Sequence, residues 1–377
     1  MTTLPRRPLA VLGCGLFGMG LAVGGLGTYV SELVARGVAP STAGLGATLL
    51  LFGQFAIVWP TDVFARLSTV RLAAAVGLAL GTAGTALGGV LSVPVALGGR
   101  LLLGFGMGAT FLAAMTYAGL CVAEEHIARM QGLLGAAFTL GLAVGIAATP
   151  WAVARFGPLP PAVVAAVPVA AATLLTLSLS PVEGRAYQPL SAYVGAFRTP
   201  VGVGLGLANG ASFGLLIVAT TWYTDVLSRV PAMPVTLVLT GFAVATFVGR
   251  TYSGRLGAVM TRRRAVEGGL VFLAVSLALV AFALWLDLWS LLALALVLTG
   301  LGFGLPFGPL FSLAFGRVGA DAGVLLVGMT AIGNAVALAY PWLVGQLLEA
   351  TAGYVAGFAV MALSTVAVIA VWRTTLY

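Results

Sequence analysis

The chain contains no lysine: all 18 of its basic residues are arginine, set against ten carboxylates. Charge of either sign is scarce, at 7% of 377 residues, while 60% are hydrophobic and mean hydropathy is +1.11. Those values exclude a soluble globular domain of this size. Only two cysteines occur, Cys14 and Cys121, each in or at the end of an apolar segment. Neither a disulfide framework nor a metal-ligand spacing is therefore expected, and the single histidine, His126, reads as a solvated loop residue. There is no phosphate-binding loop of the Walker type and no nucleophile paired with a base, so no enzyme chemistry and no cofactor are expected.

Long unbroken apolar segments are what the chain does have. A closed barrel alternates apolar and polar residues over short strands, whereas uninterrupted apolar runs satisfy their backbone in lipid as helices. Reading such windows between charges and prolines predicts twelve spans, near 9–30, 41–62, 72–92, 95–120, 131–153, 161–180, 199–222, 234–256, 266–286, 290–315, 322–345 and 354–372. With the N-terminus inside, Arg6, Arg7, Arg66, Arg71, Arg129, Arg185, Arg198, Arg255, Arg262, Arg263, Arg264, Arg317 and Arg373 fall on the inner side, and only Arg36, Arg155 and Arg229 on the outer. Both termini are accordingly assigned to the cytoplasm, and the net charge of +8 is an orientation signal and not a nucleic-acid footprint.

The longest connection, residues 181–198, separates an N-terminal set of six spans (1–180) from a C-terminal set (199–377). The sets read as copies. At an offset of 193, Thr28, Glu32 and Arg36 superpose on Thr221, Asp225 and Arg229; at 198, Gly104-Phe105-Gly106 meets Gly302-Phe303-Gly304; at 191, Pro150-Trp151 meets Pro341-Trp342. Because six is even, the copies share one topology. The expected fold is an all-α integral membrane protein of twelve transmembrane helices, built as two six-helix bundles related by a pseudo-two-fold axis along the membrane normal, with a site between them.

Polar residues inside the spans are few and unevenly placed: Gln54 in span 2, Arg100 in span 4, Asn209 in span 7, Arg250 in span 8 and Asn334 in span 11. In lipid an amide or guanidinium needs a buried partner or water, so these helices are expected to line a central cavity, unless the amides only cross-link helices. Arg250 lies about sixteen residues into a helix that needs roughly twenty to cross. Its guanidinium fits a planar anion two-toothed and cannot shed its proton; snorkelling, or pairing with Asp321, is the plainer alternative. All ten acids, from Glu32 to Glu349, fall at span ends or in loops, so the net positive interior points to an anionic substrate. Glu32 and Asp225 are the nearest candidates for proton work, but each has an arginine at i+4, and an outer surface ion pair is the plainer reading. Pro306 and Pro309 are expected to kink or break span 10, and Trp222, Trp285, Trp289 and Trp342 to form an interfacial belt, with an outer gate of Trp222 and Tyr223 as the alternative for those two.

Arg100, Gly104 and Gly106 match the span-4 pattern R-x-x-x-G-x-G, and the whole chain resembles the major facilitator superfamily of transporters. Gly132, Gly141 and Gly145 fit the glycine skeleton of its span-5 antiporter motif, although Ile146 stands where a proline follows. Gly254, Arg255, Leu256 and Arg263 resemble its inner-loop motif, which Arg66 and Arg71 partly repeat, but Ala65 and Ala258 replace the aspartate that helps latch the inner gate. Gly249, Arg250 and Gly254 are similar to the G-R-x-x-x-G segment of the monocarboxylate, oxalate and nitrate branches, where the resemblance implies that the arginine contacts the anion. Gly333-Asn334 is similar to the span-11 stretch of nitrate porters.

The resulting expectation is a secondary active transporter of the cytoplasmic membrane, acting as a monomer on a small organic or inorganic anion by rocking its two halves. Arg250, Asn334, Asn209, Gln54 and Arg100 are the candidate substrate-binding residues, and a proton or counter-anion is the candidate coupling ion. An exporter of amphipathic drugs and a non-transporting membrane sensor or scaffold remain as alternatives.

Overall fold

The structure is a computed structural model that describes residues 5–90, 92–122, 124–182, 188–316 and 322–376, with the side chains at 124–129, 196, 254–259, 315, 316, 322 and 376 also left out of the description. Arg185, Arg317 and Asp321, and the side chains of His126, Arg129, Arg255, Leu256 and Ala258, thus lie outside the described residues. No strand occurs among those that are described.

Among the described residues, twelve helices are long and apolar enough to cross a membrane: Arg6–Ala35, Pro40–Leu67, Val70–Leu87, Val93–Cys121, Met130–Phe156, Leu159–Thr176, Pro200–Ser228, Val235–Ser253, Arg262–Trp285, Trp289–Ala314, Gly323–Thr351 and Val355–Thr375. They are numbered spans 1 to 12 below. Their limits follow local chemistry. Pro40 and Pro200 stand in the first turn, where a missing N–H costs nothing, and Thr69, Thr199 and Thr261 cap the N-termini they precede by accepting from the amides of Leu72, Gly202 and Arg264. An even number of crossings returns the chain to its starting face, so both termini and the linker helix Leu190–Arg198 share one side.

Glycine sets how closely the spans approach. A Cβ on Gly20 would lie 2.0 Å from the Phe138 carbonyl oxygen, and one on Gly141 would lie 1.9 Å from that of Phe17, so spans 1 and 5 meet backbone to backbone. Spans 2 and 4 do the same, where a Cβ on Gly104 would come within 2.2 Å of the Leu50 carbonyl oxygen.

Several spans are interrupted. Span 1 breaks at Gly25, span 10 at Leu305–Pro306 and span 11 at Leu338–Ala339, just ahead of Pro341. Span 7 contains a π-helical turn, Gly210–Gly214, between α-helices Pro200–Asn209 and Leu215–Ser228. Such turns insert one residue into the helix and gather at functional sites.

The two halves meet along spans 2 and 11, spans 5 and 8, and spans 1 and 7. On the side away from the termini the approach is tight: a Cβ on Gly27 would lie 2.4 Å from the Thr220 carbonyl oxygen, one on Gly44 2.5 Å from that of Pro341, and the amide of Ser41 donates to Glu349 Oε1 at 2.7 Å. On the termini side, Gly323 of span 11 sits against Arg66 of span 2, and Phe111 of span 4 meets Phe307 and Phe311 of span 10. Contacts therefore join the halves on both sides.

The expected tryptophan belt is corrected at one position. Trp285 and Trp342 are exposed, but Trp222 is buried and its indole N–H donates to the Pro341 carbonyl oxygen at 3.2 Å. Its ring packs beside Gly44 of the other half, so it belongs to the closure between halves and not to a lipid interface.

Candidate functional site

Span 8 brings Arg250 inside the molecule because the helix beside it has no side chain there. Gly249 and Gly304 pack spans 8 and 10 together, with a Cβ on Gly304 only 2.8 Å from the Arg250 amide nitrogen. Arg250 is consequently 5% exposed. Its Nη1 donates to Thr139 Oγ1 of span 5 at 2.9 Å, so the guanidinium spans the boundary between the two halves. The Thr139 hydroxyl itself donates to the Gly135 carbonyl oxygen at 2.9 Å, which orients its lone pairs toward Arg250.

Three aromatic rings surround this cation. The guanidinium carbon is 4.4 Å from the ring centre of Phe307, 5.7 Å from that of Phe213 and 6.0 Å from that of Phe138. Their faces attract it, but they offer no hydrogen-bond acceptor of ordinary strength. Nε and Nη2 are buried without a partner. The ion pairs of the described residues, Arg36–Glu32, Arg66–Asp62, Arg229–Asp225 and Arg373–Glu267, do not include Arg250. A buried cation so placed is costly unless something negative reaches it.

The aromatic wall is continuous. Phe111 stacks on Phe213 at 6.2 Å and meets Phe311 at 5.9 Å, while Phe307 and Phe311 are 4.6 Å apart. Phe213 belongs to the π-helical turn that begins just after Asn209, so this turn links that amide and a ring of the wall in one piece of backbone.

The other candidates are distributed unequally. Asn334 is fully buried in span 11 with both amide atoms unpartnered. Its neighbour Gly333 packs against Asn209, whose Nδ2 would be 2.6 Å from a Cβ placed there, so these two asparagines share the junction of spans 7 and 11. Gln54 is also buried, but its Nε2 donates to the Met107 sulfur at 3.6 Å, linking spans 2 and 4 within the N-terminal half. Arg100 sits near the opposite-face end of span 4, where Nη2 donates to the Gly88 carbonyl oxygen at 3.2 Å and the guanidinium lies 4.9 Å from the Tyr29 ring centre. The structure places neither Gln54 nor Arg100 with the Arg250 cluster. A cavity of about 350 Å³ does reach Arg100, but it lies among Tyr29, Trp151, Val164 and other apolar residues of the N-terminal half.

No family model matches the chain, and no curated protein matches its sequence. Solved structures do match its shape. The chain superposes on the E. coli fucose:proton symporter FucP with a TM-score of 0.69 at 17% identity, covering 98% of each chain. Against a D-xylose-proton symporter the TM-score is 0.75 at 13% identity, covering 98% of this chain and 97% of that one. Against the human organic anion transporter MFSD10 (TETRAN) it is 0.74 at 15% identity, covering 98% and 100%. FucP in its outward conformation, described as a Major Facilitator Superfamily transporter, gives 0.68 at 16% identity. The fold is that of the major facilitator superfamily.

Within this major facilitator fold, one carboxylate cluster was not anticipated from the sequence and another lies deeper than expected. Asp62, at the termini end of span 2, is buried and pairs with Arg66 at 2.6 Å. It also accepts from the hydroxyl of Tyr193 on the linker helix. An acid one turn ahead of Ala65 thus stands beside Arg66, close to the start of span 11. Asp225 pairs with Arg229 at 2.8 Å and accepts from the Tyr354 hydroxyl, and only the arginine of this pair is well exposed. The expected surface ion pair is therefore half sunk into the protein. Burial, and then the adjacent carboxylate, push the hydroxyl pKa of both Tyr193 and Tyr354 up. The i, i+4 spacing of Asp62 and Arg66 was the available signal; the tyrosines come from distant segments.

Proposed function

We propose that this chain is a secondary active transporter that carries a small organic or inorganic anion across the cytoplasmic membrane, its two halves, 1–180 and 199–377, rocking about the site at Arg250. The observation that carries the reading is the buried guanidinium between spans 5 and 8, with two donors unpartnered and no acid of the described residues paired to it. An anion bound there would be held by Arg250 of one half, whose guanidinium is itself fixed by Thr139 of the other, and that is what would couple occupancy to rocking. Asn334 would supply neutral hydrogen bonds from span 11, with Asn209 behind it. The arginine-rich start of span 9, Arg262 to Arg264, supports a cytoplasmic termini side by the positive-inside rule.

Two neighbours of this fold are named proton symporters and a third an organic anion transporter. These names support a proton as the coupling ion and an anion as cargo. Anion flux into proteoliposomes, with and without an imposed pH gradient, tests the reading. Arg250→Lys keeps the charge but loses the fork, and is expected to lower flux at least tenfold. Unchanged flux in that variant would sink the assignment of the site.

A further inference from the structure

Which donors Arg250 leaves unused narrows its ligand. Nη1 is committed to Thr139, and the vacant pair is Nε and Nη2. On a planar guanidinium the N–H bonds of these two nitrogens run parallel along one edge, so the free edge is a complete side-on fork. It matches two oxygens of a flat acid group, whereas a tetrahedral oxyanion leaves further oxygens to be satisfied. Phe307, Phe213 and Phe138 pack around the same guanidinium, and the wall continues through Phe111 and Phe311. Arg250 is the one arginine of the described residues seen against these rings. A second negative charge on the ligand would consequently be buried against phenylalanine, at high cost.

From these observations we infer that the site selects an aromatic or similarly flat apolar monocarboxylate, its carboxylate seated side-on across Nε and Nη2 of Arg250 and its body intercalated among Phe111, Phe213, Phe307 and Phe311. The inference rests on the anion reading above and deepens it. The rings are packed on one another, with centroids 4.6 to 6.4 Å apart, so an apolar body enters by parting them and replaces ring–ring contacts with like contacts. A bare inorganic anion separates the rings without filling the space. A dicarboxylate fills it with charge.

The test is a thermal-unfolding titration of the purified full chain at neutral pH with benzoate, acetate, nitrate, oxalate, phosphate and the neutral benzamide, repeated on Arg250→Gln and Phe213→Leu. Benzoate is expected to stabilise the protein with an apparent Kd at least tenfold below those of acetate, nitrate and oxalate. Phosphate and benzamide are expected to leave the midpoint where it is. Arg250→Gln, which leaves a polar amide but drops the charge and the fork, should abolish the benzoate response, and Phe213→Leu should weaken benzoate more than acetate. Acetate, nitrate or oxalate binding as tightly as benzoate, with loss in Arg250→Gln, would overturn the aromatic class while leaving the anion site standing. A benzoate response undiminished in Arg250→Gln, or no response to any anion, would overturn both. Should Arg250→Gln fail to fold, the ratio of benzoate to acetate affinity in the native protein and in Phe213→Leu decides the ligand class by itself.

Discussion

Arg250 is an expense that the rest of the structure does little to offset. An arginine at the centre of a membrane helix costs about 2.5 to 3.5 kcal/mol on an insertion scale and less toward an end, where Arg250 lies, and each buried donor left unpaired adds about 1 to 3 kcal/mol. Thr139 satisfies one donor and the rings contribute cation–π attraction, but Nε and Nη2 remain unpaired. Replacing the side chain with an unbranched apolar one should thus raise stability. Arg250→Met is expected to increase the unfolding free energy of the ligand-free protein by about 1 to 3 kcal/mol, read as a higher unfolding midpoint, while transport is lost. A lower midpoint would instead make the arginine a structural tie between spans 5 and 8.

Tyr193 offers a residue-level test with a pH signature. Its hydroxyl pKa is raised in the folded protein by burial first and by Asp62 second, so the group contributes stability below its unfolded pKa of about 10 and loses it as pH rises beyond that value. Stability should therefore fall with pH above about 10, and Tyr193→Phe should flatten that fall while costing about 1 kcal/mol at neutral pH. Parallel pH profiles for the two proteins would contradict the contact with Asp62. At this scale the cation itself was legible in the sequence, since an arginine interrupting an apolar run is conspicuous. Thr139, Phe213 and Tyr193 were not, because each reaches its partner across a packing interface that no local pattern encodes.

Among the elements, the spans were legible because the bilayer imposes a length and an apolar composition that a chain displays openly. The break of span 10 was legible for a similar reason, as Pro306 cannot donate to the helix. The π-helical turn of span 7 was not. Gly210 to Gly214 contains no helix breaker of proline's strength, and the turn exists where Gly333 and Ala337 of span 11 press against Gly210 and Gly214. Glycines likewise look alike in a sequence but differ in their surroundings. Gly141 meets the Phe17 carbonyl oxygen, whereas Gly132, on the same helix, has open space around its Cα. Gly141→Ala must force spans 1 and 5 apart and is expected to cost about 2 kcal/mol or more. Gly132→Ala is expected to be neutral or stabilising by up to about 1 kcal/mol, and thermal unfolding of the pair measures the contrast.

At the scale of the whole molecule, the two-bundle arrangement was visible in the repeat offsets, but the relation of the halves was not, since it depends on which glycines of one bundle face which carbonyls of the other. Those contacts now close the side away from the termini through Gly27, Gly44 and Gly345, while Asp62, Arg66 and the start of span 11 meet on the termini side. The alternating access proposed above requires one set to be released while the other is kept, and the first set is the easier to wedge because its members lack side chains. A Cβ on Gly345 would lie 2.7 Å from the Ser41 Cα, so a tryptophan there cannot be accommodated with the halves in contact. With Cys14 and Cys121 replaced by alanine, a reporter cysteine at the fully buried Asn334 should react slowly with a membrane-impermeant maleimide. Adding Gly345→Trp should accelerate that reaction at least tenfold when the reagent is applied from the face away from the termini, and leave the rate from the termini side unchanged. Equal slowness from both faces would mean that the contact at Gly345 does not control access to span 11, and that the closure rests on spans 1 and 7 instead.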